Sequence, residues 1–425
     1  MDKLKLAKIS KINGSVELPG SKSISNRALL LSALAEGPAK LTNLLQSNDV
    51  NHMCDGLKEM GMDLVRDLDA KTATLTGCGG PLPSGDFDLY LENAGTAVRS
   101  MTAALCLGKG TYRVDGNERM RERPIKHLLD ALKPLGADIK CEINEGFLPL
   151  QITADGLKGG VTAVEGGVSS QYLTALLIAA PYCEEDVKIK ILGELTSKPY
   201  IDMTINLMRR FGVEVLNNNF EEFSIKAGQK YTNPETLFVE GDASTASYFL
   251  GSAALGGKVR VTGCGKNSIQ GESGFASVMG EMGAKVEYGE NYIEVECTGK
   301  LKGIDIDMNT MTDTGMTLAV VAMFAEGKTA IRNIYNWRVK ETERIKAVAT
   351  ELTKAGAHVE EGHDYIIITP PEKIQKAEIE TYDDHRMAMA FSLLSFGSDE
   401  ITILDPSCTR KTFPNYFEVF GSVTK

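Results

Sequence analysis

The sequence predicts an α/β fold built from six repeated βαβαββ units in two three-unit domains, with buried inner helices and mixed sheets outside. Three observations lead to this prediction. One pattern of strand, loop, amphipathic helix and strand returns six times along the 425 residues. A second kind of helix, apolar on nearly all faces, precedes each return. Runs of alternating apolar and polar residues supply further strands.

The repeated pattern begins each time with a short apolar strand. Its six starts are Leu41, Val114, Ile191, Val261, Ile331 and Ile403. The intervals between these starts are 73, 77, 70, 70 and 72 residues. A nearly constant interval indicates a repeat architecture, and six units of about 72 residues account for essentially the whole chain.

The helices of the second kind are rich in Ala and Ser, which is typical of helices that are buried on every side. They are NRALLLSALA, AVRSMTAALCL, QYLTALLIAA, ASYFLGSAAL, GMTLAVVAMFA and MAMAFSLLSF. The strand runs between helices include ATLTG, FLPLQITA, NYIEVECTG and DYIIITP. We therefore expect six inner helices, six amphipathic outer helices and mixed sheets.

Six units exceed a single core, because domains rarely grow past about 250 to 300 residues. A division into three plus three units places the midpoint near Glu240 and Gly241. The first strand, residues 5–18, precedes the first inner helix and needs a sheet. In a cyclic arrangement it can complete the C-terminal domain, which would make that domain discontinuous.

The composition excludes several classes of function. With 57 acidic and 46 basic residues the net charge is −11, which argues against nucleic-acid and membrane-surface binding, since both need a basic field. No apolar run approaches the roughly 18 residues of a membrane span, and the first six residues lack the apolar core of a signal peptide. A cytoplasmic location is predicted. The eight cysteines lie at least 24 positions apart and the five histidines are dispersed, so we expect no metal site.

The starts of the inner helices carry small, polar or charged residues. Each could be a plain N-cap. Equivalent helix starts face a common region, however, and helix N-termini bind phosphate and carboxylate groups. Four of the six starts also carry cationic or amide side chains, namely Lys22 and Arg27, Asn93 and Arg99, Gln171, and His385 and Arg386.

Further cations lie in loops, at Arg119, Arg121, Arg123, Lys198, Arg338, Lys340, Arg344, Arg410 and Lys411. A solvated surface is the alternative interpretation, and it is favoured for Arg119, Arg121, Lys198 and Arg410. On an acidic chain, their recurrence in several units favours a basic cleft for ligands with phosphate and carboxylate groups.

Two acids lie among these cations, Asp313 at an inner-helix start and Glu341 beside Lys340. Both are candidate functional carboxylates because neighbouring cations tune a carboxyl pKa. For Glu341, a surface ion pair with Arg344 at i,i+3 is an equal alternative.

The chain carries LPGSKSISNRALLLSALAEG, LENAGTAVRSMTAAL, ERMRERPI, SSQYLTALL, SKPYID, EGDASTASYF, YNWRVKETERI, DDHRMAMAF and TFPNYF in this order. These motifs resemble the 5-enolpyruvylshikimate-3-phosphate synthase family, carboxyvinyl transferases of the shikimate pathway, in its common bacterial form, over residues 15–420. The resemblance implies the enolpyruvyl transferase fold with a double-stranded hinge near residues 19 and 240. Residues 20–240 would hold much of the shikimate phosphate site, and residues 1–19 plus 241–425 the acid/base residues.

The resemblance also implies the reaction, which belongs to aromatic amino acid biosynthesis. The enolpyruvyl group of phosphoenolpyruvate moves to the 5-hydroxyl of shikimate 3-phosphate, phosphate is released, and neither a cofactor nor a metal is needed. Glyphosate is expected to inhibit in competition with phosphoenolpyruvate. We expect a monomer.

Carried over by motif, three groups of residues are expected. The positions that match shikimate 3-phosphate ligands are Lys22, Ser23, Arg27, Ser169, Ser170, Gln171, Ser197, Tyr200, Asp313, Asn336 and Lys340. Those that match phosphoenolpyruvate ligands are Lys22, Asn93, Gly95, Arg123, Gln171, Arg344, Arg386 and Lys411. Asp313 is the expected base and Glu341 the acid that protonates carbon, with Lys22 and His385 as further catalytic residues.

Two alternatives and one departure remain. The related enolpyruvyl transferase that acts on UDP-N-acetylglucosamine shares the six-unit fold but normally uses a loop cysteine, and none here lies in a matching loop. A non-catalytic sugar-phosphate binding protein would not need the acid/base residues. The departure is Ser100, where the family usually carries Pro, and it affects the expected pose of Gly95 and Thr96.

Overall fold

A computed structural model describes residues 2–425. The strands are β1 Lys3–Lys5, β2 Ile12–Glu17, β3 Glu36–Thr42, β4 Leu64–Asp67, β5 Thr72–Cys78, β6 Gly85–Tyr90, β7 Lys109–Asp115, β8 Asp138–Cys141, β9 Leu150–Asp155, β10 Gly160–Glu165, β11 Val187–Leu192, β12 Leu216–Asn218, β13 Glu222–Ile225, β14 Thr236–Phe238, β15 Gly257–Thr262, β16 Lys285–Tyr288, β17 Tyr292–Glu296, β18 Asp305–Asp307, β19 Thr329–Arg332, β20 His358–Glu361, β21 Ile366–Thr369, β22 Ala377–Ile379 and β23 Ile401–Leu404.

The helices are α1 Lys22–Leu34, α2 Asn48–Glu59, α3 Gly95–Leu105, α4 Glu118–Glu122, α5 Lys126–Leu132, α6 Ser170–Ala179, α7 Lys198–Arg210, α8 Ala243–Leu255, α9 Phe275–Glu281, α10 Gly315–Val321, α11 Arg344–Lys354, α12 His385–Phe391 and α13 Tyr416–Val423. Among them, none is long and apolar enough to cross a membrane.

Each repeat builds one mixed sheet. In the second repeat, β6 pairs parallel with β7, β7 pairs antiparallel with β9, and β8 pairs antiparallel with β9. The same pattern recurs in four further sheets, and the sixth sheet has three strands in the order β1-β23-β22. The predicted fold class, α/β with six repeated units and mixed sheets, is confirmed.

The inner helices are α1, α3, α6, α8, α10 and α12. All eleven residues of α3 are buried, and so are all seven residues each of α10 and α12. Their Ala- and Ser-rich sequences allow this, because small side chains let neighbouring helices and sheets approach from every side. The outer helices α2, α7 and α11 bury only one face.

A left-handed residue follows one strand in most repeats. The residue after β3, β11, β15, β19 and β23 has a positive φ, at Asn43, Gly193, Gly263, Asn333 and Asp405. Only Gly, Asn and Asp occupy these places, and they are the residue types that tolerate this conformation best. The repeated turn sends the chain from the sheet toward the next helix.

The chain divides into two compact units. The N-terminal unit is Gly20–Val239, and the composite unit consists of the chain up to Pro19 and from Glu240 to Lys425. Two strands explain the division. β2 lies before Gly20 and pairs with β15 of the composite unit, whereas β14 lies before Glu240 and pairs with β3 of the N-terminal unit. The segment predicted as one strand, residues 5–18, contains the separate strand β2, which completes a sheet of the C-terminal half.

The two ends of the chain meet within the composite unit. The Ser10 amide donates to the Lys425 carbonyl over 2.7 Å, and the Lys425 amide donates to the Lys11 carbonyl over 2.8 Å. β1, which lies shortly before Ser10 in the sequence, pairs antiparallel with β23.

Candidate active site

Within the N-terminal unit, Arg27 lies at the centre of the first polar cluster. It is 2% exposed on α1, and its guanidinium donates to Thr204 Oγ1 at 2.9 Å, to Thr174 Oγ1 at 3.2 Å and to the Ser23 carbonyl at 2.9 Å. The Tyr200 ring lies 6.0 Å from it. Helices α1, α6 and α7 therefore fix one buried positive charge.

A second cluster joins the starts of α3 and α6. Arg123 donates to Asn93 Oδ1 at 2.8 Å, and Arg99 donates to Gln171 Oε1 at 2.7 Å and to the Gly95 carbonyl at 3.3 Å. Gly95 is the first residue of α3 and lies beside these cations. A Cβ on Gly95 would lie 2.5 Å from Arg99 Nη1 and 2.9 Å from Arg123 Nη2. The absence of a side chain is what lets both guanidinium groups approach this backbone.

The remaining sequence-predicted residues of this unit lie at helix starts. Lys22 is the first residue of α1, and its Nζ lies 3.4 Å from Asp49 Oδ2. Ser169 is the N-cap of α6, whose first residue is Ser170, and its hydroxyl accepts from the Gln171 amide. Ser197 precedes α7 with a φ of 55°. These positions are suited to anions, because free amides point along each helix axis.

The composite unit holds a carboxylate between three cations. Asp313 Oδ1 lies 3.1 Å from Arg344 Nη1 and 3.5 Å from Lys340 Nζ. Its Oδ2 accepts from Arg386 Nη2 at 2.8 Å. The carboxylate lies in the short 3₁₀ turn Asn309–Thr314 that leads into α10, so its backbone is fixed by a buried helix.

These charges shift the acid–base behaviour of the cluster. Burial alone would raise the pKa of Asp313, but Arg386, Lys340 and Arg344 outweigh burial and hold that pKa well below its usual value. Burial lowers the pKa of Lys340, although the charge of Asp313 opposes this. Asp313 is therefore ionised, and while all three cations face it, it is a weak base.

Glu341 is the second carboxylate. Its Oε2 lies 2.9 Å from Arg344 Nη2, its Oε1 lies 3.8 Å from Lys411 Nζ, and its side chain is only 9% exposed. The i,i+3 pair with Arg344 exists, but it is a buried contact within the cluster rather than a surface ion pair.

Asp384 contacts two of the arginines in this cluster. It is fully buried and accepts from Arg344 Nε at 2.8 Å and from the Arg386 amide at 2.9 Å as the N-cap of α12. His385 Nδ1 lies 3.6 Å from Asp384 Oδ1. Asn336 is 4% exposed and donates to Thr312 Oγ1 at 3.2 Å.

Comparison with known protein families identifies the family of this chain. The family model described as EPSP synthase (3-phosphoshikimate 1-carboxyvinyltransferase) matches residues 6–420. The chain belongs to the EPSP synthase family.

Relatives support the family assignment over the whole length. A 3-phosphoshikimate 1-carboxyvinyltransferase from Vibrio atlanticus is 54% identical over 420 residues, with 98% of each chain covered. One from a Sulfurovum species is 55% identical over 426 residues, with 100% of each chain covered.

Solved structures are similar in fold. EPSP synthase from Acinetobacter baumannii has a TM-score of 0.82 at 26% identity, covering 99% of this chain and 97% of that one. The enolpyruvyl transferase NikO from Streptomyces tendae has a TM-score of 0.79 at 16% identity, covering 100% of this chain and 97% of that one, and shows the fold alone.

In this EPSP synthase family chain, the structure brings many of the sequence-predicted residues into contact within each unit, while Lys22, Ser169, Ser170 and Ser197 are placed at helix starts. Arg27, Ser23 and Tyr200 form one cluster, and Asn93, Gly95, Arg123 and Gln171 form another. Asp313, Lys340, Glu341, Arg344, Arg386 and Lys411 form the third, with His385 joined through Asp384. Asn336 lies beside Thr312, next to Asp313 in the chain.

The surface interpretation suits two of the loop arginines. Arg119 pairs with Glu122. Arg121 pairs with Asp115, and the Arg121 side chain is 41% exposed. Asp384 is not among the site residues predicted from the sequence, and in the structure it is both the N-cap of α12 and a counter-charge to Arg344. The sequence carries no direct signal for this contact, because the burial of Arg344, which makes a second counter-charge necessary, is visible only in the structure.

The cysteine nearest in sequence to a candidate site residue of this EPSP synthase family chain is Cys408, and it lacks the features of a nucleophile. All eight are unpaired across residues 2–425. Cys408 shares the turn Pro406–Lys411 with Lys411, but it is 3% exposed and burial raises the pKa of its thiol. A reactive cysteine needs the opposite, an accessible thiolate.

Proposed function

We propose that this chain transfers the enolpyruvyl group of phosphoenolpyruvate to the 5-hydroxyl of shikimate 3-phosphate and releases phosphate, within aromatic amino acid biosynthesis. The observation that carries the proposal is the buried cluster in which Asp313 and Glu341 lie among four cations. Binding anions needs only the cations, whereas adding an alcohol across an enol double bond also needs a base and an acid. Family membership supports the same reaction.

In the addition step, the 5-hydroxyl oxygen bonds to the central carbon of phosphoenolpyruvate. Asp313 accepts the hydroxyl proton and Glu341 gives a proton to the methylene carbon. In the elimination step, the Glu341 carboxylate takes back a proton from the new methyl group, the bond between carbon and the phosphate oxygen breaks with its electron pair leaving on phosphate, and the double bond is restored. Lys22 and His385 assist proton movement to the hydroxyl or the departing phosphate.

The low pKa of Asp313 fits this role once ligands are bound. Anionic groups of the substrates would share the charges of Arg344, Arg386 and Lys340, which now face Asp313. The pKa of Asp313 would then rise toward its usual range, and the carboxylate would become a better base when substrate is present. The ligand therefore prepares its own general base.

We assign the ligand sites as the motifs suggest. Shikimate 3-phosphate would contact Lys22, Ser23, Arg27, Ser169, Ser170, Gln171, Ser197, Tyr200, Asp313, Asn336 and Lys340. Phosphoenolpyruvate would contact Lys22, Asn93, Gly95, Arg123, Gln171, Arg344, Arg386 and Lys411. Both sets include residues of both units, so we propose that the crossings at residues 19–20 and 239–240 act as a hinge.

A single-turnover assay tests the function. Purified protein in excess over shikimate 3-phosphate and phosphoenolpyruvate should release one phosphate per limiting substrate. UDP-N-acetylglucosamine in place of shikimate 3-phosphate should give none. Phosphate release only with UDP-N-acetylglucosamine would refute the proposal in favour of the related transferase, and binding of both substrates without release would favour the non-catalytic protein.

A substitution tests the assignment of the acid. Glu341→Gln keeps size and a hydrogen-bond acceptor for Arg344 but cannot donate the carboxylic proton. It should lower kcat at least about 100-fold while substrate KM changes less than about threefold. An effect confined to KM would remove Glu341 from the chemistry. Inhibition by glyphosate, a monomeric state and a cytoplasmic location stay predictions.

A further inference from the structure

The turn that precedes α12 has an unusual backbone. Tyr382 and Asp383 have φ values of 54° and 52°, and the Asp384 amide donates to the Thr381 carbonyl over 2.8 Å. Two consecutive positive φ values closed by this bond are typical of a type I′ turn, in which Gly, Asn and Asp are the usual central residues. An aromatic residue in the first central position is strained, and such strain persists only where surrounding contacts enforce it.

The enforcing contact is a hydrogen bond from the side chain of Tyr382. Its hydroxyl donates to Glu351 Oε1 at 2.7 Å. Glu351 is fully buried on α11, and its Oε2 accepts from the Glu380 amide at 3.2 Å and from Lys354 Nζ at 2.9 Å. The carboxylate thus holds the chain on both sides of Thr381 from a rigid helix.

The last residue of the turn is Asp384, which contacts the active-site cluster. Asp384 accepts from the Arg344 guanidinium at 2.8 and 3.3 Å and from the Arg386 amide at 2.9 Å. These two arginines also hold Asp313. A shift of the turn would move Asp384, and with it the Arg344 guanidinium and the backbone at the start of α12 that carries Arg386.

We infer that Glu351 and Tyr382 are positioning residues, which hold the strained turn so that Arg344 and Arg386 are placed for the anionic groups of phosphoenolpyruvate. This inference rests on the proposed function. A tether that only joined α11 to β22 would not require a left-handed aromatic residue, since an ordinary turn with the same hydrogen bond would serve. The strain indicates that the position of Asp384 is what the contact maintains.

The test is Tyr382→Phe, which removes one hydroxyl and keeps the ring. The KM for phosphoenolpyruvate should rise roughly tenfold, the loss equivalent to one hydrogen bond to a charged group, while kcat stays within about threefold. The KM for shikimate 3-phosphate should rise less, because neither Arg344 nor Arg386 is among its assigned ligands. Glu351→Gln should raise the KM for phosphoenolpyruvate too. The KM of the double variant should be no higher than that of the single variant with the higher KM, since both substitutions act on one contact.

The matched control is Tyr288→Phe. Tyr288 is also partly buried in the composite unit, and its hydroxyl donates to the Ser273 carbonyl at 3.0 Å. This variant should keep both KM values within about twofold of the unsubstituted chain.

Three outcomes would overturn the inference. They are an unchanged phosphoenolpyruvate KM in Tyr382→Phe, a change no larger than in Tyr288→Phe, and a loss of thermal stability without any KM change. Failure of the unsubstituted chain to turn over would instead overturn the proposed function, so the two failures are distinguishable.

Discussion

The ion pairs of Asp313 make the stability of the composite unit depend on pH. Because its folded-state pKa lies well below the unfolded value, its ion pairs stabilise the composite unit fully above about pH 5. As the pH falls, the unfolded chain takes up a proton near its ordinary pKa of about 3.9, and this stabilisation is lost as the pH approaches the folded-state pKa.

We therefore expect Asp313→Asn to destabilise the composite unit by about 3 kcal/mol at pH 7, since it leaves buried arginines with one counter-charge fewer. The difference from the unsubstituted chain should be the same at pH 5 and shrink below pH 4. Urea unfolding followed by Trp337 fluorescence measures it. Trp337 is the single tryptophan, is fully buried and donates to the Thr312 carbonyl beside Asp313. A difference that grows on acidification would contradict the low pKa.

A second residue-scale prediction concerns glyphosate. Gly95→Ala should weaken inhibition more than about tenfold and phosphoenolpyruvate binding less, because the new Cβ would displace the ends of Arg99 and Arg123. We expect the longer inhibitor to need more of that space than the smaller substrate does. Inhibition constants measured against phosphoenolpyruvate decide this, and unaltered inhibition would show that Gly95 does not lie beside the ligand.

Ser100 bears on the same segment. Its hydroxyl donates to the Thr96 carbonyl at 2.7 Å, a bond back to the preceding turn that bends helices. Proline there would remove both this bond and the backbone donor. Proline also fixes φ, so Ser100→Pro should hold Gly95 and Thr96 in the pose that the family's usual residue gives and tighten glyphosate inhibition in the otherwise unchanged chain. No tightening would make Ser100 a neutral replacement.

At the residue scale, the sequence predicts which polar and charged residues are candidates for the site but not how they pair. Lys22, Arg27, Asp313 and Glu341 follow from charge at helix starts and from motif resemblance. The bond from Arg344 to Asp384 joins residues 40 positions apart, and that from Arg386 to Asp313 joins residues 73 apart. Such distances in sequence are closed only by the packing of α10, α11 and α12.

At the element scale, the left-handed residues after the strands can be tested without disturbing any contact. Gly193 has a φ of 74°, and a Cβ there would meet nothing within 4 Å. Gly193→Ala should destabilise the protein by about 1–2 kcal/mol through backbone strain alone. Gly193→Asn should cost less, because Asn occupies the same place at Asn43 and Asn333. Thermal unfolding followed by circular dichroism measures both.

The same substitution at Gly421 is the control. Gly421 lies in α13, is exposed, and a Cβ there also meets nothing within 4 Å. Gly421→Ala should stabilise by about 0.5–1 kcal/mol, since alanine is the better helix former. Equal effects at the two positions would mean that the positive φ of Gly193 is not costly.

The elements themselves were predictable to different degrees. The six inner helices follow from their uniform apolar character, and all six are present. The short 3₁₀ turns that extend them, Ala322–Phe324 and Ser392–Phe396, do not follow, because an apolar run has the same composition in either kind of helix. That β14 would pair with β3 was also not predictable, since residues 36–42 and 236–238 share no local signal.

At the scale of the whole molecule, the residues assigned to shikimate 3-phosphate belong to both compact units. One ligand that contacts both sets favours the arrangement of the units in which both reach it. Small-angle scattering should therefore show a smaller radius of gyration at saturating shikimate 3-phosphate than without it. Inorganic phosphate at the same concentration is the control, and an equal radius in all three samples would argue against the hinge.

Because Lys425 contacts Ser10 and Lys11, the fold does not require the polypeptide to run in its present order from the first segment to the last. A circularly permuted chain could begin at Glu240, pass from Lys425 through a Gly/Ser linker of about ten residues, spanning up to about 33 Å, into β1, and end at Val239. Each compact unit would then be one uninterrupted stretch of polypeptide, joined to the other by a single covalent strand instead of two. If the paired crossings restrict how the units move, this permutant should fold with native circular dichroism yet bind shikimate 3-phosphate more weakly, and equal affinity would show that one strand is sufficient.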